Sequence, residues 1–210
     1  MKTKAHIRYK TAAGRQVPGV TTITGLKAKP FLVGWANRLG LQGIDSTRYR
    51  DKMANVGTLT HYLVECDLKG EKPDLSDYSQ NDIKLAKVAY SKWEEWKQGK
   101  TIEPIALEIP LVSEKYGYGG TLDIYANVDG KANLIDLKTS KAIYDDNAYQ
   151  LAAYRQLLSE HDHPVNKVRL LRIGRSQSEG FEERMYPRLD VQWRIFKALL
   201  TVYYEEKKLR

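Results

Sequence analysis

Asp123, Asp136 and Lys138 are the residues whose types and spacing could do chemistry, because a tight turn between the aspartates fixes which side chains face each other. Asp129-Gly130 suits a two-residue type I′ hairpin, in which both central residues take positive φ. Val128 then pairs with Lys131, and counting outward sets Asp123 directly across from Asp136. Thr121, Tyr125, Leu134 and Lys138 share their face. Leu122, Ile124, Ala126, Val128, Ile135 and Leu137 fall on the other, the core-facing set of a half-buried antiparallel pair.

Carboxylates at that spacing repel, by up to about 1 kcal/mol. Lys138 supplies one neutralising charge, and a divalent cation would supply the rest. On the residues alone, a solvated patch in which Lys138 pairs with the aspartates stands beside the catalytic reading.

The elements around this hairpin decide what else reaches it. IEPIALEIPLV, at 102–112, reads as a strand whose Pro104 and Pro110 mark an edge or a bulge. A following turn centred near Lys115-Tyr116 brings Glu108 close to Asp123, whereas a slip of one residue sends it to the opposite face. Upstream, 47–68 is helical, with Gly57 as a candidate break and Leu59, Tyr62, Leu63 and Cys66 on one stripe. His61 and Glu65 lie one turn apart on its flank, where a structural histidine and a solvated glutamate are the ordinary readings.

The rest of the chain supplies the frame. A short hairpin spans 5–17, VTTITGL makes a turn of helix capped by Thr21 or Thr22, and Pro30 takes the first position of a helix through FLVGWANRLGL. Ser79 caps a helix whose Trp93 and Trp96 belong to the core. Asp145 or Asp146 caps a helix through Leu158 that carries Gln150 and Tyr154 one turn apart. Strands follow at 165–174 and 181–186, and Asp190 caps a final helix with Trp193, Phe196, Leu199, Leu200 and Tyr203 on its apolar stripe. From the His61 helix onward the order is helix, three strands, helix, strand, an α/β sandwich around a mixed sheet. The expectation is one domain over 1–210: a hairpin and helical part to 100, a sheet core over 101–190, and a last helix.

At 210 residues the chain can bury a full core, and no stretch of 18 apolar residues offers a membrane span. The amino terminus lacks an apolar signal core, which points to the cytoplasm, in a bacterial or phage setting. Cys66 is the single cysteine, so disulfides, cysteine zinc sites and four-cysteine clusters are excluded. The net charge of +8 arises within residues 1–44, which hold eight Lys or Arg and no Asp or Glu. A polyanion partner explains that bias. An ordinary basic surface and a mitochondrial transit segment are the competing explanations.

Asp123, then Asp136-Leu137-Lys138 after a short hairpin, then Gln150-Leu151-Ala152-Ala153-Tyr154 on the next helix, resembles the RecB-like branch of the PD-(D/E)XK nuclease superfamily. Gly120 to Asp123 matches its Gly-x-x-Asp, and Gly57 to His61 its Gly-x-x-x-His. PGVTTI and KPFLVGWA look like the start of phage-type and mitochondrial exonucleases of this branch. With one cysteine the chain matches the cluster-free, single-domain members, and it has no Walker loop for a helicase motor. The resemblance implies a restriction-endonuclease-like αβββαβ core with an amino-terminal helical elaboration.

It also implies roles. Asp123, Asp136, the Leu137 carbonyl and the His61 imidazole would hold Mg²⁺ or Mn²⁺, with Lys138 orienting and polarising the attacking water. Gln150 and Tyr154 would support Lys138 or the nucleic-acid backbone. Carboxylates suit hard cations, and Mn²⁺ accepts an imidazole more readily than Mg²⁺. The expected activity is a metal-dependent DNA exonuclease working on free ends in recombination, repair or replication, with an annealing or other recombination protein as a candidate partner. An endonuclease of the same fold and an inactive nucleic-acid-binding module are the alternatives.

Overall fold

The computed structural model describes residues 7–209. Five strands, β1 (Ile102–Ser113), β2 (Tyr118–Val128), β3 (Lys131–Lys138), β4 (Lys167–Ile173) and β5 (Phe181–Met185), form one sheet in chain order. All neighbours are antiparallel except β3 and β4, which run parallel with Lys138 beside Arg172. Six helices surround it: α1 (Val20–Thr24), α2 (Phe31–Leu41), α3 (Ser46–Lys69), α4 (Gln80–Lys97), α5 (Asp145–Glu160) and α6 (Asp190–Lys208). The fold is therefore mixed α/β around a mixed sheet. No helix among the described residues is long and apolar enough to cross a membrane.

The central hairpin turns as its Asp-Gly pair dictates, with Asp129 at φ 51° and Gly130 at φ 74°. Its register is the expected one, from Val128 opposite Lys131 to Ile124 opposite Ile135. The half-buried expectation needs correction, because the sheet is covered on both faces. Tyr125 and Leu134, placed on the polar face, are 2% and 0% exposed in a cluster with Tyr118, Leu151 and Phe196 beneath α5 and α6. The Tyr125 hydroxyl donates to the Pro164 carbonyl at 2.7 Å, which lets its ring be buried. Ile124, Ile135 and Leu137 pack against Val64, Trp93 and Trp96 of α3 and α4. Leu122 joins the α5 side rather than following Ile124, so alternation along β2 is interrupted at Asp123.

Other boundaries also differ. α3 runs unbroken through Gly57, and the absence of a side chain there lets the helix lie close to the loop after β3: an added Cβ would stand 2.9 Å from Thr139 Oγ1. Gly19, not Thr21 or Thr22, precedes α1, and Pro30 sits one residue before α2. Tyr144 precedes α5, where Asn147 Oδ1 accepts the Tyr144 N–H at 2.9 Å and leaves Asp146 to pair with Lys29 at 2.6 Å. Asp190 lies inside the first turn of α6. Ser79 caps α4 as expected, accepting the Asp82 N–H at 3.1 Å. The amino-terminal hairpin survives as a Lys10 to Gln16 bridge, its residues 5 and 6 lying outside the described residues.

Candidate active site

Glu108 and Asp123 face each other across β1 and β2, between the pairs Leu107 to Ile124 and Ile109 to Leu122. The turn is centred on Lys115-Tyr116, and the strand absorbs an irregularity between Pro104 and Ala106, as its prolines foretold. Glu108 takes φ 49°, a left-handed conformation that costs a non-glycine residue of order 1 kcal/mol. From the other side, α3 delivers His61. Its Nδ1 lies 3.4 Å from Asp123 Oδ1 and 3.8 Å from Glu108 Oε1, and one ligand atom from each of the three residues falls within 4.8 Å of the others.

The aspartates meet differently from a simple ladder pair. Beyond Ile124 and Ile135 the main-chain pairing stops, and the Leu137 N–H donates to Asp123 Oδ2 at 2.8 Å. A side chain has taken the place of the next ladder bond. Asp136 is fully buried, with Lys138 Nζ 2.5 Å from its Oδ2. Oδ2 therefore has that ammonium as its partner, whereas the buried Oδ1 has none. A buried acceptor without a donor is costly, of order 1–3 kcal/mol, and a cation is one way to satisfy it. Asp136 does not join His61, Glu108 and Asp123 in their mutually close group.

Charge is strongly perturbed here. Burial works against a charged His61, but Asp123 and Glu108 prevail and raise its pKa to about 10. Burial likewise disfavours the Asp123 anion, yet His61, Lys138 and the Leu137 N–H hold it below the usual carboxylate range. Asp136 moves upward: burial and the Asp123 charge outweigh the pull of Lys138. Lys138, against the effect of burial, is held above its ordinary range by Asp136 and Asp123. At neutral pH the His61 and Lys138 protons balance part of the charge of three carboxylates, so a cation seated on His61 would have to displace a proton.

The site opens into a groove of about 1010 Å³, with Tyr9 and Thr21 on one wall, Ala54, Thr58 and His61 on the other, and Lys138 and Tyr154 at its floor. Tyr154 is buried over Gly120, where a Cβ would come within 2.6 Å of its ring, and Gln150 Nε2 donates to its hydroxyl at 2.7 Å. Burial and the two aspartates push the Tyr154 phenol well up, so it stays neutral. Leu137 and Glu65 line a small cavity beside His61, Glu108 and Asp123, and Glu65 also pairs with Lys69 at 2.7 Å.

Two participants escaped the sequence. Tyr9 donates or accepts at Thr121 Oγ1 over 2.9 Å, and Thr139 meets Gly57. Both depend on close approaches between distant segments that spacing does not encode. Of the tyrosines near the hairpin, Tyr118 and Tyr125 are core residues, Tyr116 packs edge-on against Trp193, and Tyr144 stacks on Phe31 at 5.3 Å.

No family model and no curated protein matches the sequence. Among the solved structures that resemble the chain are two crystal structures. The crystal structure of LHK-Exo in complex with dAMP aligns with 75% of this chain and 86% of its own, at 12% identity and a TM-score of 0.42. The crystal structure of SSO0001 aligns with 63% of this chain at 20% identity and a TM-score of 0.36, and the chain spans 63% of that protein's length. Both TM-scores fall below 0.5, so the functional reading rests on the chain's own residues.

Proposed function

We propose that the protein is a divalent-metal-dependent nuclease that hydrolyses DNA from free ends, a cluster-free member of the RecB-like branch of the PD-(D/E)XK superfamily. The observation that carries this reading is the convergence of His61, Glu108 and Asp123 within 4.8 Å beside a buried Asp136 that pairs with Lys138 through Oδ2 and leaves Oδ1 without a partner. Imidazole and carboxylate donors fit Mn²⁺ or Mg²⁺. His61, Asp123 and Glu108 would hold the ion, with Asp136 and the Leu137 carbonyl as further donors. Bound there, the ion supplies Lewis-acid stabilisation of charge on the phosphoryl oxygens.

The chain's own groups account for the rest. Lys138 keeps its proton and stands at the groove floor, so it donates to a phosphoryl oxygen or orients the attacking water. Tyr154, neutral and tied to Gln150, fixes the wall behind it. End-labelled linear DNA and covalently closed circles, incubated with Mg²⁺, with Mn²⁺ and with chelator, test the proposal. Metal-dependent release of nucleotides from linear DNA alone, abolished by Lys138→Ala, is expected. Cleavage indifferent to chelator or to that substitution refutes the mechanism, and opened circles convert the enzyme into an endonuclease. Binding without cleavage under every metal condition makes it a binding module.

A further inference from the structure

α3 carries the site's geometry outward. Tyr49, Met53, Gly57 and His61 follow one another at intervals of four, a row that winds about 40° around the helix at each step. His61 borders the catalytic groove, whereas Tyr49 and Met53 border a second cavity of about 520 Å³ beside the loop after β4. At ~1.5 Å per residue this cavity begins about 12 Å from His61 and extends to about 18 Å. The loops that leave the parallel strands β3 and β4 reach the same end of the sheet, so Lys138 faces the groove and Lys141, three residues on, faces the cavity.

The far wall is the loop after β4, tied down by basic residues of α4, β4 and the loop itself. Lys92 is buried without a carboxylate in hydrogen-bond contact, its Nζ donating to the carbonyls of Gly174 and Ser176 at 2.7 Å each. Arg172 donates to the Glu179 carbonyl, and Arg175, 9% exposed, pairs with the Glu179 carboxylate at 3.2 Å. Glu182 is shared between Arg172 at 3.4 Å and Arg184 at 2.6 Å. At the cavity itself Arg175 and exposed Lys141 stand against the single carboxylate of Glu179, which leaves one positive charge in excess. Ser176 and Ser178, hydrogen-bonded to each other at 3.0 Å, leave one hydroxyl proton to donate, and Tyr49 adds an aromatic ring.

We propose that this cavity is a phosphodiester subsite, holding the backbone of the nucleic-acid strand whose other nucleotides lie in the catalytic groove; the proposal rests on the nuclease reading above. Lys141 supplies the unpaired charge, the free hydroxyl of the serine pair donates to a phosphate oxygen, and Tyr49 lies against a sugar or base. At ~3.4 Å per stacked nucleotide, the subsite lies roughly three to five nucleotides from the scissile bond.

Binding of a fluorescent 12-nucleotide DNA strand with no terminal phosphate, read by anisotropy in EDTA across a salt series, tests the subsite apart from catalysis. Lys141 is exposed, so Lys141→Glu leaves the core intact. We expect it to weaken binding about tenfold at low salt and to reduce the salt slope by about 0.7, one phosphate contact on a single strand. Lys131→Glu, at the opposite end of β3, should change neither. Equal affinity and slope for Lys141→Glu and the parent overturn the subsite, as does an equal loss in Lys131→Glu or no binding by the parent. A protein that binds in this pattern yet cleaves nothing with metal refutes the nuclease reading and leaves the subsite standing.

Discussion

Gly57→Ala isolates the contact that sets the depth of His61. An added methyl would stand 2.9 Å from Thr139 Oγ1, and no other atom lies within 4 Å of it. Comfortable non-bonded separations begin near ~3.5 Å, so about 0.6 Å must be found, either by a shift of α3 or by rotation of Thr139. A helix moves as a unit over one turn, and His61 lies one turn further on the same face. Catalytic groups tolerate about 0.5 Å, and a displacement near 1 Å costs about 100-fold in rate. We therefore expect Gly57→Ala to lose roughly tenfold in hydrolysis at saturating Mn²⁺. Stability should stay within about 1 kcal/mol of the parent, because alanine gains about that much over glycine in a helix and offsets the crowding. Thr139→Ala removes the obstructing oxygen, and the double variant should recover activity to within about threefold of Thr139→Ala alone. End-labelled DNA hydrolysis and urea unfolding in EDTA give the two readouts. Unchanged activity in Gly57→Ala, with Thr139 simply turned about χ1, or a double variant no better than the single, refutes the argument.

Glu108→Gly should separate stability from function: it relieves a left-handed residue, worth about 1 kcal/mol, while removing one of three clustered ligands, so melting in EDTA should not fall and Mn²⁺ affinity should. A lower melting temperature in EDTA contradicts that. Asp67 offers a pH test away from the site. Burial raises its pKa, but Lys97 at 2.5 Å and the Trp93 indole at 2.8 Å outweigh burial and lower it. A depressed folded pKa stabilises above the ordinary carboxylate value near 3.8 and loses that contribution as pH falls through the folded value. Melting followed from pH 7 to 2 should therefore show an acid limb that Asp67→Asn flattens, and an unaltered limb rules Asp67 out as its source.

The central hairpin was legible because Asp129-Gly130 admits one turn type, and one turn fixes every facing pair down to Ile124 and Ile135. Glu108 was legible only conditionally, since its face hangs on a longer turn with no diagnostic dipeptide. The second buried face was misread because Tyr125 looks amphipathic from sequence and its hydroxyl partner, the Pro164 carbonyl, lies 39 residues away. Gly57 was read as a helix breaker because intrinsic propensity is local, whereas its role is a close approach to a residue in another element. The caps at Asp145 and Asp190 went astray for a related reason: Asn147 reaches back to hold the start of α5, and α6 begins without a side-chain cap.

The pairing of the central hairpin stops just short of the reactive groups. Ten facing pairs join β1 to β2 and six join β3 to β4, whereas five join β2 to β3, as few as join β4 to β5, and the β2–β3 zipper ends at Ile124, one residue short of Asp123. The hairpin is thus closed at its Asp129-Gly130 turn and open at its far end, with the acidic and basic groups placed at that lip. Fluctuations that part the lip should precede global unfolding. Whatever occupies it in the working state doubles as a clasp, tying catalytic readiness to mechanical integrity.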